Sequence, residues 1–393
     1  MNQITSDKSK QKLIRITTVP ISLKTLLKGQ LKFMSSHYQV LGISSKGSEL
    51  IDVSLNEEIE VLDVDMTRRI SPLQDLKSLY KLYKIFKKEA PFIVHSHTPK
   101  AGVVAMLAAK LAGVPHRLHT VAGLPLMEAT GNKRRLLNAV EKLTYNCSTQ
   151  VYPNSKGLRD FILENKFVNE KKLKVLGSGS SNGINTSYFD PEIFSLEEKQ
   201  QLKIEFNIDS NDFIFIFVGR LVADKGINEL IEAFVNLSDS FSNAKLLLVG
   251  AFENELDPLK TITFDKIKNN PNIISVGFQQ DVRPYLSISD CLVFPSYREG
   301  FPNVVMQAGA MGLSSIVSNI NGCNEIIVEG QNGTIIPVKN SEALYHSMKK
   351  MIADRNWNNN LRVNSRNMIV SRYDQLMMWN VILEEYKRLE KYV

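Results

Sequence analysis

The run Phe213-Ile214-Phe215-Ile216-Phe217-Val218 constrains the fold of this 393-residue chain more than any other stretch. A strand with one wet face alternates apolar and polar side chains, so an unbroken apolar run has to be covered on both faces. The same signature recurs at residues 245–249, 273–276, 291–294 and 315–317. In the first half, strand-like runs occur at 13–19, 38–43, 91–95, 117–121 and 149–152. Helical patterns fall among them at 73–88, 101–112, 133–146 and 156–164, then at 228–237, 282–287, 303–311, 341–351 and 357–370. Buried strands alternating with helices predict parallel sheets wrapped by helices. The class is α/β, with two doubly wound units joined near the Gly/Ser/Asn-rich stretch 177–185.

Length agrees with two units, since single cores stop growing beyond about 250–300 residues. An apolar content of 43% and a charged content of 23% are those of a globular chain. Cys147, Cys291 and Cys323 are odd in number and far apart, without a Cys-x-x-Cys pair. They argue against a disulfide framework or a zinc site and fit a reducing cytosol. No run of about 18 apolar residues occurs. The N-terminus is polar and Lys-rich, so neither a span nor a signal core is expected.

The net charge of +7 is unevenly spread. Residues 1–175 hold 28 Lys and Arg against 15 Asp and Glu, giving +13, and residues 176–393 hold the other 20 and 26, giving −6. The excess gathers in residues 81–88 and 133–137, where Lys and Arg mix with large apolar residues at helical spacing. Such helices either lie on an anionic membrane surface or pack on their own sheet with a solvated charged face. Nucleic acid is not expected, because no aromatic-rich strand motif or DNA-binding helix pattern accompanies the charge.

Three segments imitate functional motifs. Gly177-Ser178-Gly179-Ser180-Ser181-Asn182 nearly spells a dinucleotide fingerprint, but it lacks the third glycine and a helix directly after it. It reads as a hinge or cleft-lining turn. Asp63-Val64-Asp65 could hold a divalent metal, yet it reads as a strand end with solvated carboxylates. His95-Ser96-His97 sets two imidazoles on one strand face without an evident third ligand, so no metal is expected.

Two segments carry chemistry. Tyr297-Arg298-Glu299-Gly300-Phe301-Pro302-Asn303 follows a buried strand and opens a helix whose first turn is expected to carry Pro302. That places the Glu299 carboxylate beside a helix N-terminus that favours an anion, a combination suited to a sugar phosphate. In Gly219-Arg220-Leu221-Val222-Ala223-Asp224-Lys225-Gly226, Gly219 lets a ligand approach the backbone. The cations Arg220 and Lys225 can reach both phosphates of a diphosphate.

Together, Gly-Arg-x4-Lys-Gly and, some seventy residues later, Glu-Gly-Phe-Pro-Asn resemble the family-4 retaining glycosyltransferases. Their GT-B fold has two facing Rossmann-like domains. In the first half, His95-Ser96-His97-Thr98-Pro99-Lys100-Ala101-Gly102 and Arg117-Leu118-His119-Thr120-Val121-Ala122-Gly123-Leu124-Pro125 resemble the bacterial branch that builds lipid-linked surface polysaccharides. The resemblance implies an acceptor-side domain at 1–180 and a nucleotide-sugar domain at 181–372. It implies that residues 373–393 form a helix packing back on the first domain.

The resemblance also implies roles. Gly219, Arg220 and Lys225 would hold the donor diphosphate. Glu299, with the backbone N–H groups of Phe301, Asn303 and Val304, would face the donor sugar and its phosphate. His119 would contact the sugar from the other wall of the cleft, and Glu325 would lie close to the donor. Where the family has a second glutamate on a ribose hydroxyl, this chain has Gln307, which forfeits a charge-assisted bond. A Gly-Gly loop after the first strand is replaced by Pro20-Ile21-Ser22-Leu23-Lys24, leaving Ser22, Lys24 or Lys28 for the acceptor side.

The expected activity is transfer of a hexosyl or N-acetylhexosaminyl group from a nucleotide-diphosphate sugar, UDP-linked by analogy, to a polyprenyl-diphosphate-linked glycan. No cofactor or essential metal is expected, and domain closure would exclude water. The place of work would be the cytoplasmic face of the cell membrane, as a peripheral protein. The alternatives are a nucleotide-sugar 2-epimerase on the same fold and a non-catalytic nucleotide-sugar-binding subunit.

Overall fold

A computed structural model of the chain describes residues 10–68, 71–127, 129–253, 255 and 257–391. The chain divides into two compact units, Met1–Gly183 with Gln375–Val393, and Ile184–Asp374. The first holds strands β1 (Lys12–Ile16), β2 (Gln39–Ser44), β3 (Glu60–Asp63), β4 (Ile93–Ser96), β5 (His116–Val121) and β6 (Gln150–Pro153). They form one parallel sheet in the order β3-β2-β1-β4-β5-β6. The second holds β7 (Phe213–Val218), β8 (Ala244–Val249), β9 (Ile273–Gly277), β10 (Cys291–Phe294), β11 (Ser314–Ser318) and β12 (Gly333–Ile336). These are also parallel, in the order β12-β11-β10-β7-β8-β9. The α/β class with two doubly wound units is therefore observed.

Side-chain alternation distributes each central strand between two helical layers. In β1, Leu13 packs with Leu31, Tyr38, Ile382 and Tyr386 on one side of the sheet. Ile14 and Ile16 pack with Leu82, Phe86 and Val104 on the other. Helix Gln375–Glu390 thus supplies part of the first unit's own core. In the second unit every residue from Phe213 to Phe217 is buried. Each such side chain contributes about 1.5–3 kcal/mol on leaving water.

Edges depart from the sequence pattern. β3 has no buried residue, β12 is only partly buried, and neither carries a long apolar run, so the pattern missed both. Helices Pro20–Leu26, Gln30–Ser35, Ser48–Glu57, Leu196–Glu205 and Thr261–Asn269 were likewise not expected.

The basic helix Pro72–Glu89 buries Ser78, Leu82 and Phe86 and leaves Leu73, Leu76 and Tyr80 exposed beside its lysines. Helix Gly131–Cys147 likewise exposes Leu136 and Leu143. Among the described residues no helix is long and apolar enough to cross a membrane. All three cysteines are buried as free thiols.

Candidate functional site

In the second unit the strand order reverses between β7 and β10, which lie side by side. Open parallel sheets bind ligands beyond the carboxyl ends of their strands at such a point. β7 leads into Gly219 and Arg220, and a single 3₁₀ turn, Ala223–Lys225, carries Lys225. β10 leads into Ser296 and Glu299.

Lys225 Nζ donates to Glu299 Oε1 at 2.6 Å, with side-chain exposures of only 14% and 18%. Ser296 Oγ donates to the same oxygen at 3.1 Å. Asn321 Nδ2 donates to the carbonyl oxygen of Gly300 at 2.5 Å, fastening the turn after Glu299 from the loop that follows β11. Gly226 has φ +71, and a Cβ there would stand 2.2 Å from the Pro295 carbonyl oxygen. Only glycine lets the loop after β7 lie that close to the loop after β10.

Arg220 is more open. Its Nη1 donates to Glu253 Oε2 at 2.8 Å, and this bond holds the guanidinium still more firmly protonated. Each cation therefore has a carboxylate of its own. A diphosphate reaching both would displace Glu253 and compete with Glu299 for Lys225.

Helix Asn303–Ala310 follows Glu299, and Pro302 is its N-cap in an extended conformation rather than part of its first turn. The first N–H groups of a helix have no intrahelical acceptor, so those of Asn303 and Val304 face forward from this end. Gln307 lies one turn further along and is half-buried. The Phe301 ring packs edge-on against Tyr373 at 5.4 Å between centroids. Glu325 is in the short helix Cys323–Ile326, half-buried. Its carbonyl oxygen accepts from Arg372 Nη1 at 3.1 Å and from Tyr373 Oη at 3.2 Å.

In the first unit His119 sits on β5 and is buried. Its Nδ1 shares a hydrogen bond with Ser96 Oγ at 2.8 Å. Burial pushes its pKa down to about 4, so the ring is neutral near pH 7. Helix Pro99–Ala112 crosses directly over it. A Cβ on Gly102 would stand 2.5 Å from His119 Cε1, so this glycine is the space in which the ring lies. Gly102→Ala is expected to tilt the ring and lower turnover by up to about 10²-fold, the order that follows a 1 Å misplacement. Donor affinity, measured by calorimetry, should change little.

Other sequence candidates separate. Lys24 pairs with Asp52 at 2.7 Å, and Asp63 is an exposed partner of Lys81 at 3.4 Å. His95 and His97 do share a face, with ring centroids 4.2 Å apart. Both nitrogens of His95 are engaged, by Tyr386 Oη at 2.6 Å and Thr120 Oγ1 at 2.7 Å. Among the described residues no group of three His, Cys, Asp or Glu is placed to hold a metal ion. The sequence pattern missed Ser296, Glu253 and the role of Gly102. Asn321 was missed as well.

Comparison with known proteins identifies the family and the fold. Residues 23–155 match the family profile described as "Glycosyl transferase 4-like", and residues 198–368 match "Glycosyl transferases group 1". The capsular polysaccharide biosynthesis glycosyltransferase CapM of Staphylococcus aureus is 33% identical over 97% of this chain and 98% of its own length. An Escherichia coli UDP-Gal:alpha-D-GlcNAc-diphosphoundecaprenol alpha-1,3-galactosyltransferase is 29% identical over 79% of this chain and 78% of its own. Among solved structures, a glycosyltransferase from Rickettsia africae superposes with a TM-score of 0.80 at 22% identity, covering 98% of this chain and all of that one. HepE of Anabaena, crystallised with UDP, gives 0.80 at 17% identity over 96% of this chain and 100% of its own, which shows the shared fold. With a glycosyltransferase profile on each unit and a relative similar along nearly the whole length, the chain belongs to the family-4 glycosyltransferases of the GT-B fold and is a glycosyltransferase.

Proposed function

We propose that the enzyme transfers a sugar, with retention of anomeric configuration, from a UDP-sugar to a polyprenyl-diphosphate-linked glycan during polysaccharide assembly. The observation that carries this reading is the Lys225–Glu299 pair beside Arg220 at the strand-order reversal of the second unit. A carboxylate there accepts from sugar hydroxyls, while the cations meet a diphosphate. The two relatives described above are named for capsule synthesis and for transfer from UDP-galactose to a diphosphoundecaprenol-linked sugar; the first name supports polysaccharide assembly and the second the choice of substrates.

As the sugar–oxygen bond breaks, the leaving diphosphate gains negative charge. Arg220, Lys225 and the N-terminus of helix Asn303–Ala310 are fixed positive groups suited to that charge, and such preorganisation is usually the largest catalytic term. The acceptor hydroxyl attacks from the leaving-group side and passes its proton to a phosphate oxygen. His119, neutral and buried, orients the sugar. No metal enters this scheme, so turnover should survive a chelator.

The test is incubation with radiolabelled nucleotide sugars and lipid-linked acceptors, with product configuration read by NMR. Transfer that disappears in Arg220→Ala and Lys225→Met supports the proposal, and conversion of the donor alone would point to an epimerase. The exposed leucines and lysines of helix Pro72–Glu89 support work at the cytoplasmic membrane surface. Co-sedimentation with anionic but not zwitterionic vesicles checks this. Gln307→Glu should tighten UDP binding by roughly fivefold, the gain from replacing a neutral hydrogen bond with a charge-assisted one. Calorimetry measures it directly.

A further inference from the structure

Arg15 is fully buried in β1, on the face of Leu13. Its Nε donates to His97 Nε2 at 2.9 Å and its Nη2 to Gln30 Oε1, while Nη1 is buried without a hydrogen-bond partner. Among the described residues no carboxylate forms an ion pair with it. Glu57 is near enough to act on it electrostatically, but its oxygens accept from the backbone N–H groups of Gly29 at 2.6 Å and Lys32 at 3.0 Å. Arginine stays charged in proteins, and a buried ion without a counter-charge costs several kcal/mol.

His97 sharpens the picture. A guanidinium Nε can only donate, so His97 Nε2 must accept, and in the neutral ring the proton sits on Nδ1. Burial holds this ring neutral. His97 Nδ1 is itself buried without a partner, so it is a second unused donor. Arg15, His97, Thr120, Asn154 and Ser181 line one cavity of about 10 Å³, room for one water-sized group. Asn154 Oδ1 is also unpartnered there. The cavity lies by β1 and β4, where the strand order of the first sheet reverses, the position at which such sheets bind ligands.

We propose that this cavity is a phosphate subsite, in which one anionic oxygen enters between Arg15 Nη1 and His97 Nδ1. The volume admits one oxygen rather than a whole phosphate, so the group inserts a single corner. Two sources offer this chemistry: free phosphate, and the diphosphate of a lipid-linked acceptor. Assignment to the acceptor rests on the transferase reading above, whereas binding of phosphate does not.

The test uses the full chain and inorganic phosphate, titrated by ³¹P NMR against sodium chloride of equal ionic strength. Saturable binding by the wild type is expected, weakened at least about tenfold in Arg15→Met, the loss expected for a hydrogen bond between charged groups. If Arg15→Met does not fold, Asn154→Leu keeps the guanidinium and sets a bulkier methyl group in place of the amide oxygen that lines the cavity, and should weaken phosphate similarly. Displacement of phosphate by farnesyl diphosphate would assign the acceptor as the source, and failure to displace would assign free phosphate. Phosphate binding no better than chloride, or unchanged by the folded variant, overturns the subsite. The titration needs no donor and no turnover, so its failure is distinct from failure of sugar transfer.

Discussion

Replacing Lys225 by Met is expected to reduce sugar transfer by roughly 10²–10³-fold in kcat, the scale on which single preorganised groups act. The loss has two parts. A fixed positive charge is removed from the strand-order reversal, and among the described residues Glu299 Oε1 keeps only Ser296 Oγ as its side-chain donor. Glu299→Gln should lose a comparable factor, since an amide at that position no longer draws Lys225 by charge. Residues that act as a unit are grossly non-additive. The double variant should therefore be little worse than the poorer single one. The measurement is kcat and KM for all four proteins, with melting curves to confirm folding. Losses that multiply would mean that the two side chains serve separate parts of the donor.

Glu385→Ala is expected to destabilise the first unit by about 2–4 kcal/mol. Glu385 is 3% exposed and accepts from Tyr152 Oη at 3.0 Å, Lys174 Nζ at 2.7 Å and Arg388 Nη2 at 2.8 Å. Lys174 and Arg388 are themselves 51% and 41% exposed and can turn to water, which keeps the cost below the upper limit for a broken buried pair. Tyr152 cannot turn away so easily, because its ring is buried. Burial alone would raise the Glu385 pKa, but the bonds from Arg388, Lys174 and Tyr152 outweigh it and hold it below the ordinary carboxylate value. A carboxylate with a depressed folded pKa contributes stability above the unfolded value and loses it as pH falls through the folded one. The gap between wild type and variant should therefore narrow in acid. Hydrogen exchange in the first unit's strands, at neutral pH and near pH 3, reads both effects.

The sheets were legible in the sequence where burial leaves no polar option. Phe213 to Phe217 cannot be anything but a covered strand, and the same holds for the run from Cys291 to Phe294. β3, with three of its four residues exposed and the fourth half-exposed at the sheet edge, looks like any loop. Glu299 and Lys225 were legible as chemistry beside a turn. Their ion pair was not, because it depends on β7 and β10 being neighbours although seventy-odd residues separate them. Arg15 was illegible for a related reason. A lone cation in an apolar strand reads as an interruption until three other segments bring His97, Gln30 and Asn154 around it.

Helix Gln375–Glu390 belongs to the first unit although the whole second unit precedes it in the chain. On the ribosome this sets an order of events. Residues 184–374 are contiguous and can close their core as soon as they emerge, because domains generally fold as units during synthesis. The face of β1 that carries Leu13 has no such freedom. It waits, partly uncovered, for Ile382, Leu383 and Tyr386 to be made, so the first unit to be translated is the second to be finished.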